Sequence, residues 1–565
     1  MCGIVAAVGT PDALGCVSRA LPTLRHRGPD ADGVWHQSGV ALGHTRLSII
    51  DLSDAGRQPM LDQSARFTIT FNGEIYNYLE LREALRDYPF RSQSDTEVVL
   101  AAWATWGEAC LDRLIGMFAF AIWDAHEGTL VAARDRFGVK PLYVGELADG
   151  GVVLASEIKA LRAAGVESRP DPAAWATYLS TGALDAQRTF WTGITPVPAG
   201  CVLRWHGGAS ALRCWYDLAA RVGNVFDDRP LDLVRRDYLE LLETSVRLRF
   251  RSDVPVGINL SGGVDSSLLL GLVHAVKGAD STIEAFTFAT GDDRYDELPW
   301  VNAMLQHTRH PHVTCMLAPE DVPSFAERIA VAQDEPFGGV PTLAYAALFA
   351  RARERGVIVL LDGQGLDEQW AGYDYYRAST AQVVQGAADP AVRPDCLSAE
   401  FRELATPLVS AAPFGDRLQN MQLRDILATK LPRALRYNDR VSMAFSTELR
   451  EPFLDHRLVE LALRQPEDRK IRGDQGKWLL RELAAEFLPE AVRRAPKRPL
   501  QTPQREWLRG PLQSWADAML ERAFELRADW FDVSRARSAW RSYSAGTGDN
   551  SHWVWQWLSI ALGPS

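Results

Sequence analysis

No uninterrupted apolar run approaches the ~18 residues of a membrane span, and the N-terminus has no charged stretch leading into an apolar one. Cysteine is sparse. Its seven positions (2, 16, 110, 201, 214, 315 and 396) form no Cys-x-x-Cys pair, which argues against a zinc or disulfide framework and predicts a reducing compartment. A surplus of positive charge is also missing. The formal net charge of −11 argues against broad binding to nucleic acid or to an anionic membrane. Internal repeats and low-complexity segments are absent as well. What remains is a 565-residue chain, 47% hydrophobic and 24% charged, with core enough for two or three domains and a cytoplasmic location expected.

The stretch most suggestive of chemistry is Leu260-Ser261-Gly262-Gly263-Val264-Asp265-Ser266-Ser267. It follows Val254, Val256 and Ile258, which suit a short buried strand. It precedes Leu268, Leu269, Leu272, Val273 and Val276, which recur at helical spacing. A strand, a Gly-Gly turn and a helix N-terminus present backbone amides, serine hydroxyls and a favourable dipole to an anion. The loop lacks the Gly-x4-Gly-Lys-Ser/Thr pattern and holds no lysine. It resembles the pyrophosphate loop of the ATP-pyrophosphatases, which adenylate a substrate. By that resemblance Leu260, Ser261, Gly262, Gly263, Asp265 and Ser266 bind ATP, with Asp265 a Mg2+ ligand.

At the N-terminus, Cys2 directly follows the initiator in an apolar, strand-like run. Removal of Met1 frees an α-amine, with an ordinary pKa near 8, that can activate a nucleophile on the same residue. Taken alone, Cys2 fits equally a small hydrophobe at a strand start. Arg46-Leu47-Ser48-Ile49-Ile50 offers a guanidinium to an α-carboxylate, and Asn72-Gly73-Glu74 offers oxyanion donors followed by an acceptor for an α-ammonium. Asp95 is a second such acceptor, or a helix N-cap. With Arg25–Asp30, Gly116–Asp124 and Ala133–Tyr143 (the last two read as structural), these residues resemble the class II glutamine amidotransferase domain, an N-terminal-nucleophile hydrolase. The resemblance implies that Cys2 attacks glutamine and Asn72 and Gly73 stabilise the oxyanion. Residues 46–50, Glu74 and Asp95 would hold the amino-acid end.

The polar stretch Arg221–Pro230 reads as a joint, and Leu231–Arg249 as an amphipathic helix. Ile283–Phe288 reads as a second strand. Val357–Leu361 reads as a central parallel strand running into Asp362-Gly363-Gln364-Gly365-Leu366-Asp367-Glu368. Loops after such strands converge at the sheet's carboxyl edge, where Asp367 can join Asp265 around a metal. Lys477, after the turn Gly473–Gly476, supplies the cation missing from the phosphate loop, although alone it reads as a solvated lysine.

With the glutaminase half in front, the whole chain resembles the glutamine-hydrolysing asparagine synthetases. The implied fold is an α/β and α+β two-domain chain. Residues 2–205 would form an αββα sandwich and 206–234 a linker. Residues 235–565 would form a parallel-sheet, adenine nucleotide alpha hydrolase-like domain with a helical C-terminal part. The implied reaction uses glutamine, ATP and Mg2+ to amidate aspartate or another small carboxylic acid through an acyl-adenylate, and a homodimer is left open. In this picture Phe288 lies against the adenine (its other reading is plain sheet core), Asp362 and Gly363 join the ATP site, and Lys477 is catalytic. One departure stands out. Enteric-type members carry Ser-Gly-Glu-Gly-Ser-Asp-Glu where this chain has Gln364, and glutamine accepts no proton at neutral pH. That leaves open amidation of a sugar acid, peptide or natural-product precursor. A cyclase with a vestigial front domain and a silent binding protein are opposed by the complete motif sets. Gln333–Phe337 is expected on the acceptor side, and the tryptophan-rich tail beyond about 505 is expected to pack as helices on the second domain.

Overall fold

The structure is a computed structural model and describes all residues except 279–280, 378–390, 497–501, 549 and 564–565. The first half is built from two stacked six-stranded antiparallel sheets. One runs Ile194–Pro196, Tyr143–Glu146, Val152–Ala155, Gly3–Val8, Val40–Arg46 and Ala31–Gln37 across its width. The other runs Ala209–Cys214, Cys201–His206, Thr129–Arg134, Gly116–Asp124, Phe67–Ile75 and Met60–Leu61.

Alternation along each strand assigns the layers, because successive side chains point to opposite faces. In Gly3–Val8, Ile4, Ala6 and Val8 meet Ala119, Ala121 and Trp123 of the facing sheet, while Val5 and Ala7 meet the helices Ala13–Ala20 and Ile158–Ala164. In Gly116–Asp124, the intervening Phe118, Phe120 and Ile122 pack under the helix Asp95–Trp106. The result is the expected αββα sandwich. Strand Ala209–Cys214, in the stretch read as linker, completes the second sheet.

Cys201 and Cys214 oppose each other in that last hairpin and are joined as a disulfide. This corrects the expectation that the cysteines form no disulfide. The signal was invisible because Ala209–Cys214 is exposed throughout and carries no apolar alternation. Cys2, Cys16, Cys110, Cys315 and Cys396 are buried thiols.

The second half is organised by a five-stranded sheet, ordered His312–Met316, Ala285–Ala289, Val256–Asn259, Val359–Leu361 and Glu448–Arg450, with every neighbour parallel. Three of these strands were foreseen. The first begins after Pro255, which has no N–H to give the ladder. The edge strands His312–Met316 and Glu448–Arg450 were not foreseen, since histidine, threonine, glutamate and arginine dilute their apolar pattern. Ile258, Ala285 and Leu361 face the helices Leu231–Arg249 and Val264–Lys277, while Phe286, Leu360 and Leu449 face Val340–Glu354. Burial on both faces explains the uninterrupted apolar character of Val359–Leu361.

The tail folds as Gln504–Arg509, Gln513–Leu526, Val533–Ser544 and His552–Leu562. Its tryptophans are core, as expected: Trp553, Trp555 and Trp557 are 4%, 2% and 1% exposed. The tail also bridges to the first half, through the Trp175–Trp530 ring contact and a hydrogen bond from Gln556 Nε2 to the Tyr178 carbonyl (2.6 Å). Among the described residues no helix is long and apolar enough to cross a membrane. Trp557 packs on Trp553, Phe531 and Phe524 at 4.6, 5.4 and 5.9 Å between ring centroids. Trp557→Ala is therefore expected to cost about 3–5 kcal/mol, measured as a lowered denaturation midpoint.

Candidate active sites

The first site lies where Gly3–Val8, the turn after Val40–Arg46 and the end of Phe67–Ile75 meet. Cys2 N donates to Asn72 Oδ1 (3.0 Å), and the thiol points toward the Leu47 carbonyl at 3.9 Å. Burial pushes the thiol pKa up, against the nearby amino terminus, the Leu47 carbonyl and Arg46. Asn72 Nδ2 is buried without a hydrogen-bond acceptor, on the same amide whose oxygen takes the Cys2 N–H. Gly73 is required by its neighbour strand: a Cβ would lie 2.3 Å from the Met117 carbonyl oxygen.

Glu74 is also buried and keeps Oε1 without a donor, while Oε2 pairs with Arg450 at 3.1 Å. Burial holds Glu74 well above the usual carboxylate range in spite of that arginine. Asp95 accepts from Ile75 N (2.9 Å), and burial pushes its pKa up to about 6. It is the first residue of its helix. Ser94, accepting from Thr96 N, is the cap, so the N-cap alternative for Asp95 is set aside.

Arg46 spends its guanidinium on the carbonyls of Ser53 (2.8 Å) and Asp51, and it still lines the pocket with Leu47, Ile49 and Ile50. Ser48 turns its backbone N–H to Asp30 Oδ2 (2.7 Å) and does not line it. The pocket is only about 30 Å³, because Met1 lies in it, 1% exposed. The Met1 ammonium pairs with Glu448 at 3.0 Å. Burial works against ionisation of Glu448, but that ammonium, Arg450 and Lys140 outweigh it and hold its pKa at about 2.

The second site opens at the carboxyl edge of the parallel sheet. Within Leu260–Ser267, Ser261 N donates to Ser266 Oγ (3.1 Å), and Gly262 takes φ +79°, the left-handed region where glycine costs least. The helix begins at Val264, so its first amides face the loop. The 362–368 loop lies against it: a Cβ on Gly363 would sit 3.1 Å from Ser266 N. Lys477, also left-handed at φ +58°, joins the two loops. Its Nζ lies 2.7 and 2.6 Å from the Asp265 oxygens and 2.6 Å from Asp367 Oδ1. Lys477 is thus buried, and the solvated reading is set aside.

Phe286 is buried, while Phe288 is half-buried and faces the same cavity of about 270 Å³ as Asp362, Gly363, Gln364 and Asp367. Burial raises the Asp362 pKa to about 6. A second cavity, about 370 Å³, opens on the other side of the serine–glycine loop and is lined by Lys477, Arg377, Arg481 and Arg494. These arginines escaped sequence reasoning because isolated arginines near a domain surface carry no spacing signal. Of the 333–337 segment, Asp334 and Glu335 are engaged by Arg440 (3.2 Å) and Arg436 (2.9 Å) at the domain junction, and none of the five residues lines the 270 Å³ cavity.

The two sites are physically joined. The side chains of Glu448 and Arg450 reach the cysteine pocket, and the Arg450 carbonyl accepts from Asp362 N (2.9 Å) at the other site. Nearby, the fully buried Arg27 donates to the Cys2 carbonyl (3.0 Å), Glu157 (2.8 Å) and Asp439 (2.9 Å).

Residues 1–216 match the family model described as a glutamine amidotransferase domain, and residues 237–563 match the model described as asparagine synthase. The chain belongs to the asparagine synthase family. A putative glutamine-hydrolysing asparagine synthetase of Mycobacterium tuberculosis is 30% identical over 100% of this chain and 96% of its own length. A glutamine-hydrolysing asparagine synthetase of Bacillus subtilis is 28% identical with the same coverage. An amidase of Gibberella zeae is 27% identical over 93% of this chain and 92% of its own. Membership in the asparagine synthase family makes the chain a glutamine-dependent carbon–nitrogen ligase for which ATP use is implied.

Two outcomes follow from this geometry. Arg450→Met leaves Glu74 without its buried cation and takes one of several from Glu448, and is expected to destabilise the protein by about 3–5 kcal/mol, read from its denaturation midpoint. Gly372→Ala should lower ATP-dependent pyrophosphate release about 100-fold with circular dichroism unchanged, because the added Cβ would meet Asp367 Oδ1 at 2.0 Å and Lys477 Cε at 2.3 Å.

Proposed function

We propose that this protein converts aspartate to asparagine, using glutamine as nitrogen donor and ATP to activate the acceptor. After Met1 is removed, the α-amine of Cys2 takes the thiol proton and the sulfur attacks the glutamine side-chain amide. Asn72 Nδ2 and the Gly73 amide steady the oxyanion, while Arg46, Glu74 and Asp95 hold the amino-acid end. Ammonia leaves, and water hydrolyses the thioester to glutamate. At the second site the acceptor carboxylate attacks the α-phosphate of ATP held by the 260–266 loop, forming an acyl-adenylate and releasing pyrophosphate. Ammonia then displaces AMP.

The observation that carries this reading is the meeting of Asp265, Asp367 and Lys477 beside the serine–glycine loop. An anion-binding loop, two carboxylates and a lysine are the parts that handling a triphosphate needs. Asp265 and Asp367 are hard oxygen donors converging on one cation, so they fit a magnesium ion shared with phosphate oxygens. Such an ion, when bound, neutralises charge on the departing pyrophosphate. Lys477 stays close enough to do the same from its own side chain. The shared strand Glu448–Arg450 supports transfer of ammonia inside the protein, since ammonia released to water would be protonated and lost as a nucleophile.

A second reading keeps both half-reactions and changes the acceptor to a sugar acid, peptide or other carboxylate. Gln364 at the acceptor loop and the relation to the fungal amidase favour it. The test is pyrophosphate release from ATP across a panel of carboxylic acids, with glutamine or ammonium supplied. Aspartate-dependent release with asparagine formed is the expected outcome, and release with any other acid alone would replace it by the second reading. Cys2→Ala should abolish glutamine-driven turnover and spare ammonium-driven turnover. Loss of both would defeat the division into two sites.

A further inference from the structure

Lys430 is the first residue of the helix Lys430–Met443 and is 4% exposed. Its Nζ is buried and makes no hydrogen bond, and it forms part of the wall of the 270 Å³ cavity between the two acidic loops. The nearest carboxylates are already used. Asp425 takes hydrogen bonds from Tyr375 (2.6 Å), Tyr376 (2.8 Å) and Thr429 (2.6 Å), and Glu368 takes one from Tyr373 (2.7 Å). Lys430 is left only the faces of Tyr373 and Tyr375, at 5.7 and 5.3 Å from the ring centroids. Arg433, one turn along the same helix, lines the same cavity. The first turn of that helix holds no acid, and the positive end of the helix dipole adds to the two cations.

A buried, unpartnered ammonium at such a place is costly to the folded protein. The cost appears in its pKa, lowered to about 7 by burial and then by Arg433, against the attraction of Asp425 and Glu368. An anion arriving in the cavity would remove that cost. The cavity also reaches Ser261, Asp265 and Ser266 of the serine–glycine loop, and two features set this pair toward the acceptor and not the nucleotide. Sheet order places Phe288 on one side of Val256–Asn259 and the 362–368 loop on the other, and the helix Lys430–Met443 leads into Glu448–Arg450 beyond that loop. The phosphates have their own cations, Lys477 and the arginines of the 370 Å³ cavity.

Resting on the amidation reading above, we propose that Lys430 and Arg433 form the subsite that holds the non-reacting anionic group of the acceptor, so that the enzyme selects dicarboxylates. A dicarboxylic acid presents one carboxylate to ATP and the other to this pair. A neutral monocarboxylate, such as a simple sugar acid, has nothing to place there.

The test is calorimetric binding of aspartate and succinate against alanine and butyrate, on the full chain with a non-hydrolysable ATP analogue and magnesium present. Wild-type protein should bind the dicarboxylates about 10–100-fold more tightly than the monocarboxylates, the range for a charged hydrogen bond. Lys430→Met should erase that preference with affinity for the ATP analogue unchanged, Lys430→Arg should restore much of it, and Arg433→Met should weaken it. The unliganded thermal midpoint of Lys430→Met should equal or exceed that of wild type, since the variant loses only an unpartnered buried charge. A lower midpoint, an equal loss of nucleotide affinity, or no dicarboxylate preference in wild type would each overturn the proposal. Pyrophosphate release measured alongside separates the two readings. Tight dicarboxylate binding without release refutes amidation and leaves the subsite standing. Release driven best by a monocarboxylate refutes the subsite and leaves amidation standing.

Discussion

The interaction on which the rest of this structure depends is the buried ion network along Glu448–Arg450. Charges removed from water are costly unless paired, and here the partners come from both halves of the chain. Glu74 relies on Arg450, and Arg27, held by Glu157 from its own domain, reaches across to Asp439. Neither half can therefore present its finished pocket alone. Pulling the domains apart would strand several charges in apolar surroundings, so their relative placement is fixed by electrostatics as much as by area.

The second site shows the same economy of parts. Loops after parallel strands gather at one edge of the sheet, and two such loops lean on each other so closely that a Cβ at Gly363 would meet the Asp265–Ser266 backbone at 3.1–3.3 Å. Lys477 resides between two carboxylates that a magnesium ion would also seek. Lys477 is the cation that these oxygens hold in this structure.

Much of this was legible in the sequence wherever a residue's neighbours in space are its neighbours in the chain. The serine–glycine loop, the 362–368 loop and the Asn72–Glu74 end of its strand each keep their polar groups within a few residues, and the strands that lead to them or hold them are marked by unbroken or alternating apolar runs. The helix Leu231–Arg249 was readable from its period, with Val234, Tyr238, Leu242 and Val246 as its buried stripe. What could not be read were pairings across distance. Arg27 and Asp439 stand 412 positions apart, and nothing local marks either as buried. Arg46 lines the cysteine pocket as expected, but its bonds to the Ser53 and Asp51 carbonyls of its own turn carry no mark in the sequence. Lys430 sits in a segment whose charges resemble an ordinary solvated helix face until its neighbours are placed around it.

The seat of Met1 has a bearing on how the protein must be handled. Its ammonium pairs with Glu448 and its side chain lines the cysteine pocket, so on the proposed assignment of Cys2 the initiator is a stopper. Any affinity tag left ahead of Cys2 would keep that stopper in place. On the proposed assignment of Cys2, a preparation tagged in this way would lack the free Cys2 amine and would imitate a natural loss of the front domain's activity.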